Sequence, residues 1–248
     1  MENISFRNSR GLSLAGNFYA ADSGTAIVMC HGFTGDKSEW GRFDKAAYRF
    51  NEAGYNVLNF DFSGSGESDD DSLSVGKQVD DLECAIKYVH GKGVNKIGLL
   101  GLSLGALVSA KVYDEQISTV VFWAPVTDKV HYEWDKRYNA EQLQELDEKG
   151  CLTITRGKGV RKTYIVDKQM LKDRSEIDQQ SLLSRIKCPV LIIHGNKDDR
   201  VPLEDSRNAI KYLSNDSRLK IVKGADHHFN EQLDEFIALS VEWFGKHL

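Results

Sequence analysis

Three observations predict an α/β chain: a mostly parallel sheet with helices on both faces and a subdomain inserted late. Short apolar runs, at Thr25 to Cys30, Ile97 to Leu100, Thr119 to Ala124 and Val190 to Ile193, read as strands buried on both sides. Between the first three of them lie segments whose apolar residues recur at helical spacing. From Thr127 to about Lys187 the rhythm breaks into a charged, proline-free stretch. At about sixty residues it is too long for an ordinary loop. The expected layout is a core of 1–126 and 187–248 with an inserted cap at 127–186.

The elements follow in order. Ile4 to Phe6 and Leu12 to Tyr19 alternate around Ser9-Arg10-Gly11, which suits an antiparallel hairpin. The strand at Thr25 runs into His31-Gly32-Phe33-Thr34-Gly35, a turn of mostly small residues. Phe43, Ala46, Ala47 and Phe50 mark an amphipathic helix that Gly54 ends. Asn56 to Phe62 is the next strand, leading into Asp61-Phe62-Ser63-Gly64-Ser65-Gly66-Glu67-Ser68. Asp69-Asp70-Asp71 reads as solvated loop charge. Val79, Leu82, Ile86 and Val89 form a helical stripe closed by Gly91. Within the insertion, Cys151 to Thr155 and Lys162 to Val166 alternate about Arg156-Gly157-Lys158-Gly159, which predicts a hairpin between short helices. After the strand at Val190 come a helix through Ile210 and Leu213, a strand at Leu219 to Val222, and a last helix striped by Leu233, Phe236, Ile237, Ser240, Val241 and Phe244.

Composition narrows the function. The chain has 248 residues, 41% of them hydrophobic, and a net charge of −5. That balance argues against nucleic acid or an anionic membrane surface as partner. Met1 to Arg10 has no apolar signal core, and no apolar run is long enough to span a bilayer. Cys30, Cys84, Cys151 and Cys188 make no C-x-x-C pair, and His90, His131 and His247 show no metal spacing. A reduced, cytoplasmic protein without metal or organic cofactor is expected. Oligomeric state is left open, a homodimer included.

The chemistry centres on Gly101-Leu102-Ser103-Leu104-Gly105, a G-x-S-x-G pattern between a strand and a helix. A strand turning straight into a helix holds the serine on a strained bend with its hydroxyl outward. The helix beginning at Leu104 aims free N–H groups and the positive end of its dipole at an oxyanion formed there. Gly98, Gly101 and Gly105 do not have the G-x-G-x-x-G spacing of a dinucleotide loop. Alone the pattern is weak, since three fixed letters recur by chance.

Further motifs stand at other strand ends: His31-Gly32, Asp61-x-x-Gly64-x-Gly66-x-Ser68, His194-Gly195-x-x-Asp198-x-x-Val201-Pro202 and Gly224-Ala225-x-His227. Together, in this order, they resemble the α/β-hydrolase fold over nearly the whole chain outside the cap. The chain is most similar to the cinnamoyl/feruloyl-esterase group and related serine esterases with an inserted cap. Phe60-Asp61-Phe62-Ser63 carries that, where many relatives place an arginine before the first glycine, as does the form of the insertion.

The resemblance implies that Ser103 attacks, His227 takes its proton and returns it to the leaving group, and Asp198 orients the imidazole. Asp199 and His228 are the rivals; the H-G-x-x-D and G-A-x-H spacings favour Asp198 and His227. The backbone N–H groups of Phe33 and Leu104 would form the oxyanion hole. His31, Asp61 and His194 are expected to be structural. The cap offers His131, Tyr132, Trp134, Tyr138 and Tyr164 as rings to pack an acyl group, and lacks the long apolar surface of a lipase lid. The implied function is a serine hydrolase of small-molecule carboxylic esters of short acyl or small aromatic acids. A thioesterase, lipase or serine aminopeptidase on the same triad, or a catalytically silent binding scaffold, are the alternatives.

Overall fold

The computed structural model describes residues 1–129 and 134–248, and of 134 and 135 the backbone alone. The opening hairpin is β1 (Glu2–Arg7) and β2 (Ser13–Tyr19). There follow β3 (Thr25–Cys30), α1 (Arg42–Glu52), β4 (Asn56–Phe60), the two-residue β5 (Ser72–Leu73), α2 (Val75–His90), β6 (Lys96–Leu102), α3 (Leu104–Val112) and β7 (Ile117–Trp123). Then come α4 (Trp134–Arg137), α5 (Ala140–Lys149), β8 (Cys151–Thr155), β9 (Thr163–Asp167), α6 (Lys168–Ser175) and α7 (Gln179–Leu183). The chain ends with β10 (Val190–Gly195), α8 (Leu203–Ala209), β11 (Arg218–Val222) and α9 (Leu233–His247).

Among the described residues the main sheet has eight strands in the order β1-β2-β4-β3-β6-β7-β10-β11. The first two pairings are antiparallel and the rest parallel. Successive strand residues point to opposite faces, so both faces need apolar side chains. Val28, Leu58, Leu99, Val120 and Ile192 fill one core; Ile27, Val57, Leu100, Val121 and Ile193 fill the other. Burying each of these side chains contributes about 1.5–3 kcal/mol. The strands are therefore continuous apolar runs, and all the parallel ones end on the same edge.

The last helix shows how a polar residue belongs in an apolar stripe. Ser240 is fully buried on α9, where its hydroxyl donates to Phe236 O at 2.7 Å and accepts from Trp123 Nε1 at 2.9 Å. Both polar groups are thereby satisfied inside the core.

Three expectations change. The strand expected to reach Phe62 stops at Phe60, because Asp61 turns inward to hold the following loop. Its carboxylate accepts from Lys37 N at 2.6 Å and Glu67 N at 2.9 Å. The helix expected from Val79 begins a turn earlier, at Val75, capped by Ser74 Oγ. The acidic triplet is not mere solvated charge. Asp69 accepts from Ser13 N at 2.7 Å, Asp71 pairs with Lys77 at 2.6 Å, and Asp70 pairs with Arg161.

The β8–β9 hairpin forms as expected, antiparallel with Leu152 opposite Val166. It is also joined to the core. β5 adds to it in parallel, Ser72 facing Ile165 and Leu73 facing Val166, and Arg161 donates to Ser68 O at 2.6 Å.

Candidate active site

Ser103 stands between β6 and α3 with φ +53° and ψ −112°, outside the ordinary regions for an L-residue. Backbone bonds at this bend hold it there: Ser103 N–H donates to Trp123 O, and Val126 N–H donates to Ser103 O, each at 3.0 Å. The flanking glycines are required by close packing. A Cβ on Gly105 would lie 2.2 Å from Cys30 O and 2.7 Å from His31 O, and one on Gly101 would lie 2.6 Å from Ala106 Cα. The start of α3 is thus pressed against the end of β3, which carries the turn with Phe33.

That turn is held from below. His31 is buried; Phe62 N–H donates to its Nε2 at 3.2 Å, so the proton sits on Nδ1, which donates to Gly32 O at 2.9 Å. Glu39, only 2% exposed, accepts from Gly32 N–H at 2.7 Å with one oxygen and from Arg42 at 2.8 Å with the other. A Cβ on Gly32 would stand 3.5 Å from Ser103 Cβ, so turn and serine are in contact. Leu104 opens α3, and the first N–H groups of a helix have no acceptor within it. Glu39 was not singled out in the sequence; a carboxylate that binds backbone N–H leaves no spacing signal.

Asp198 and His227 meet across the ends of β10 and β11. His227 Nδ1–H donates to Asp198 Oδ2 at 2.7 Å, leaving Nε2 as the unprotonated nitrogen. The other carboxylate oxygen accepts from Arg200 N and Val201 N at 2.8 and 2.9 Å. Burial pushes Asp198 up, but the hydrogen bonds from His194 and His227 outweigh it and hold the carboxyl well below the usual range. Asp199 is exposed and His228 lies beside Arg42, with Nδ1 3.3 Å from its guanidinium.

Ser103, His227, Gly32 and Phe33 line one cleft of about 760 Å³. No hydrogen bond joins the Ser103 and His227 side chains among the described residues; such contacts are commonly loose before substrate binds. Trp40 lines the cleft, and from the chain between β7 and β10 so do Asp128, Lys129, Arg137, Arg156 and Arg174. Tyr138 and Tyr164, expected to line it, are instead buried in the core; burial pushes the Tyr164 phenol up to about 12. His131, Tyr132 and the Trp134 side chain lie outside the described residues. A strained serine, an imidazole oriented by a carboxylate, and N–H groups beside the serine can together perform acyl transfer.

Comparison with known proteins bears on the fold and the family. The family model described as serine aminopeptidase, S33, matches residues 21–233. An uncharacterized 31.7 kDa protein of Escherichia coli is 23% identical over 90% of this chain and 91% of its own length. The human mitochondrial palmitoyl-protein thioesterase ABHD10 is 28% identical over 73% of this chain and 60% of its own. Among solved structures, the α/β-hydrolase GrgF from Penicillium sp. sh18 superposes with a TM-score of 0.81 at 19% identity, covering 99% and 98% of the two chains. Est1E from Butyrivibrio proteoclasticus, solved with ferulic acid bound, gives 0.80 at 19% identity over 98% of each chain. Among the described residues no helix is long and apolar enough to cross a membrane. With most of its length matched by the family model and its sheet superposing on these structures, the chain belongs to the serine aminopeptidase S33 family of α/β-hydrolases.

Proposed function

We propose that this chain is a serine esterase that cleaves small carboxylic esters through an acyl-enzyme intermediate. The observation that carries the reading is the 2.7 Å bond from His227 Nδ1–H to Asp198 Oδ2, at a cleft into which the strained bend sets Ser103. That bond leaves His227 Nε2 free to take the Ser103 proton as Oγ attacks the ester carbonyl. Phe33 and Leu104 N–H receive the oxyanion. Protonation of the leaving alcohol by His227 yields the acyl-enzyme, and a water activated by the same imidazole releases the acid. No step calls for a metal or cofactor. The segment 127–186 serves as a cap that shapes the pocket, with 1–126 and 187–248 as the catalytic core.

Short acyl and small aromatic acyl esters are the proposed substrates. The feruloyl-type preference is supported by the Phe60-Asp61-Phe62-Ser63 turn and by likeness to Est1E. The described cleft lining, rich in arginine, does not suit a long alkyl chain. The thioesterase relative keeps thioesters as the second reading, since one triad serves both. A cytoplasmic location and a small-molecule partner accompany the proposal.

The test is a fluorophosphonate probe together with turnover of acetyl, butyryl, feruloyl and palmitoyl esters and thioesters. The expected result is labelling at Ser103, blocked in Ser103→Ala, with short or feruloyl oxygen esters turned over fastest. Absence of labelling in the folded wild-type chain would mark a silent scaffold. Fastest turnover of palmitoyl thioesters would favour the second reading.

A further inference from the structure

Between β7 and β10 the described residues that line the cleft are Asp128, Lys129, Arg137, Arg156 and Arg174, with no aromatic ring among them. Arg156, at the end of β8, reaches the turn that carries Phe33: its guanidinium donates to Thr34 Oγ1 at 2.8 Å. The guanidinium carbon of Arg174 on α6 lies 5.1 Å from the centroid of the Phe33 ring. From the core side, Arg200 lines the same cleft two residues beyond Asp198. The chain as a whole carries −5, so this is a local reversal of charge.

Carboxylates also line the cleft, and each has to be counted. Glu39 is engaged by Arg42 and by Gly32 N–H, as described. Asp128, Asp199 and Asp205 are the others. Among the described residues neither Arg156 nor Arg200 forms an ion pair with any of them. Burial, then the charges of Arg200 and Arg42, hold the His228 imidazole below its ordinary range.

We propose that the esters this cleft takes carry a carboxylate besides the ester group, and that Arg156 reads it, with Arg174 and Arg200 adding positive charge around it. The proposal rests on the serine-esterase reading above and names its substrate class. A guanidinium presents two parallel N–H groups that match the two oxygens of a carboxylate. Arg156 has one of its terminal nitrogens on Thr34 Oγ1, which fixes the side chain beside the oxyanion turn and leaves other N–H groups for a ligand. Arg156 and Arg200 are exposed, so a neutral acyl chain seated against them would strip water from their guanidinium groups and return no hydrogen bond, which is costly.

The experiment uses matched ester pairs, each rate divided by that of uncatalysed hydrolysis. Mono-4-nitrophenyl glutarate against 4-nitrophenyl valerate places the charge on the acyl side. 4-Acetoxybenzoate against phenyl acetate places it on the alcohol side. In one arm the wild-type chain is expected to favour the anionic ester in kcat/KM by about ten-fold or more, the scale of a charge-assisted hydrogen bond. Arg156→Gln should bring that ratio close to one, any loss common to both esters cancelling in the ratio, and Arg156→Lys should keep part of it. Preference in neither arm, or a ratio unmoved by Arg156→Gln, overturns the proposal. Calorimetric binding of the same pairs to Ser103→Ala reads recognition without turnover. Tighter binding of the anionic ester there supports the proposal even if the wild-type chain hydrolyses nothing, a result that would sink the esterase reading alone. Hydrolysis of neutral esters with no anionic preference in rate or binding sinks this proposal alone.

Discussion

His194 Nε2 lies 3.1 Å from Asp198 Oδ2, the same oxygen that accepts from His227 Nδ1. The other neighbour of that nitrogen is Val201 O at 3.2 Å, also an acceptor, so His194 Nε2 must carry the proton. Its Nδ1 then accepts from the Ser206 hydroxyl at 2.7 Å. His194 is fully buried, and the chain from Ser206 through His194 to Asp198 fixes the carboxylate that orients His227. His194→Ala should lower kcat by about ten-fold, the worth of one hydrogen bond to a charged group. His194→Gln, which can place an N–H near the same oxygen, should recover part of it. The check is kcat per probe-titrated site, with its pH profile, beside the melting temperature. A lower melting temperature with normal kcat per site would leave His194 a packing residue only.

Neighbouring residues separate the roles around Ser103. Ser103→Ala and His227→Ala should each cost on the order of a million-fold in kcat, the scale for removing a nucleophile or its base. Asp198→Asn should cost on the order of ten-thousand-fold by allowing the wrong imidazole tautomer. Asp199→Asn should stay near wild type, because among the described residues its exposed side chain forms no hydrogen bond or ion pair with His227. Steady-state rates on one activated ester suffice, and a larger loss for Asp199→Asn than for Asp198→Asn would overturn the assignment.

Asp198 and His228 both make stability fall as pH falls, in different windows. Asp198 has its folded pKa depressed below the ordinary 3.8, so its contribution is full above that value and is lost as pH falls from there toward the folded pKa. His228 has its folded pKa depressed below 6.5, so the unfolded chain takes up that proton first. Stability therefore falls as pH drops through 6.5, well before Asp198 is affected. Urea unfolding of wild type and His228→Asn at several pH values checks this. The variant should lose less stability between neutral and mildly acidic pH. Parallel curves would show that His228 titrates alike in both states.

Gly105→Ala tests the seat of the serine bend. The added Cβ meets two backbone carbonyls, from Cys30 and His31, and neither can swing aside as a side chain end would. The expected loss is about 3 kcal/mol or more in urea unfolding, the upper range for overpacking. Any folded fraction should label slowly with a fluorophosphonate, since α3 is then shifted from the Phe33 turn. Wild-type stability and labelling would mean that the two segments separate easily.

Much of the core was legible because both faces of the parallel strands are buried, which leaves apolar runs such as Thr25 to Cys30 and Val190 to Ile193. The H-G-x-x-D spacing set Asp198 apart from Asp199 in the sequence, and Asp198 is the carboxylate that His227 bonds. What stayed hidden works through backbone groups or distant pairings. Glu39 bonds the Gly32 N–H, an interaction that no residue type in Gly32 advertises. β5 is two residues long, and Ser72 and Leu73 become a strand only because Ile165 and Val166 arrive beside them. The rings proposed for the pocket failed at Tyr138 and Tyr164 for a related reason: an aromatic residue in a charged segment fits a small core as well as a ligand.

The β8–β9 hairpin springs from the chain between β7 and β10, yet is stitched to β5 and, through Arg161, to the loop after β4. It is therefore an arch with two footings rather than a flap on one hinge. An arch of this kind resists swinging, so side chains along it can be exchanged without loosening its hold on the core. Its crown, at Gly157 to Val160, is exposed and bears on neither footing. For directed evolution that divides the molecule into a fixed catalytic frame and a span that can be redecorated.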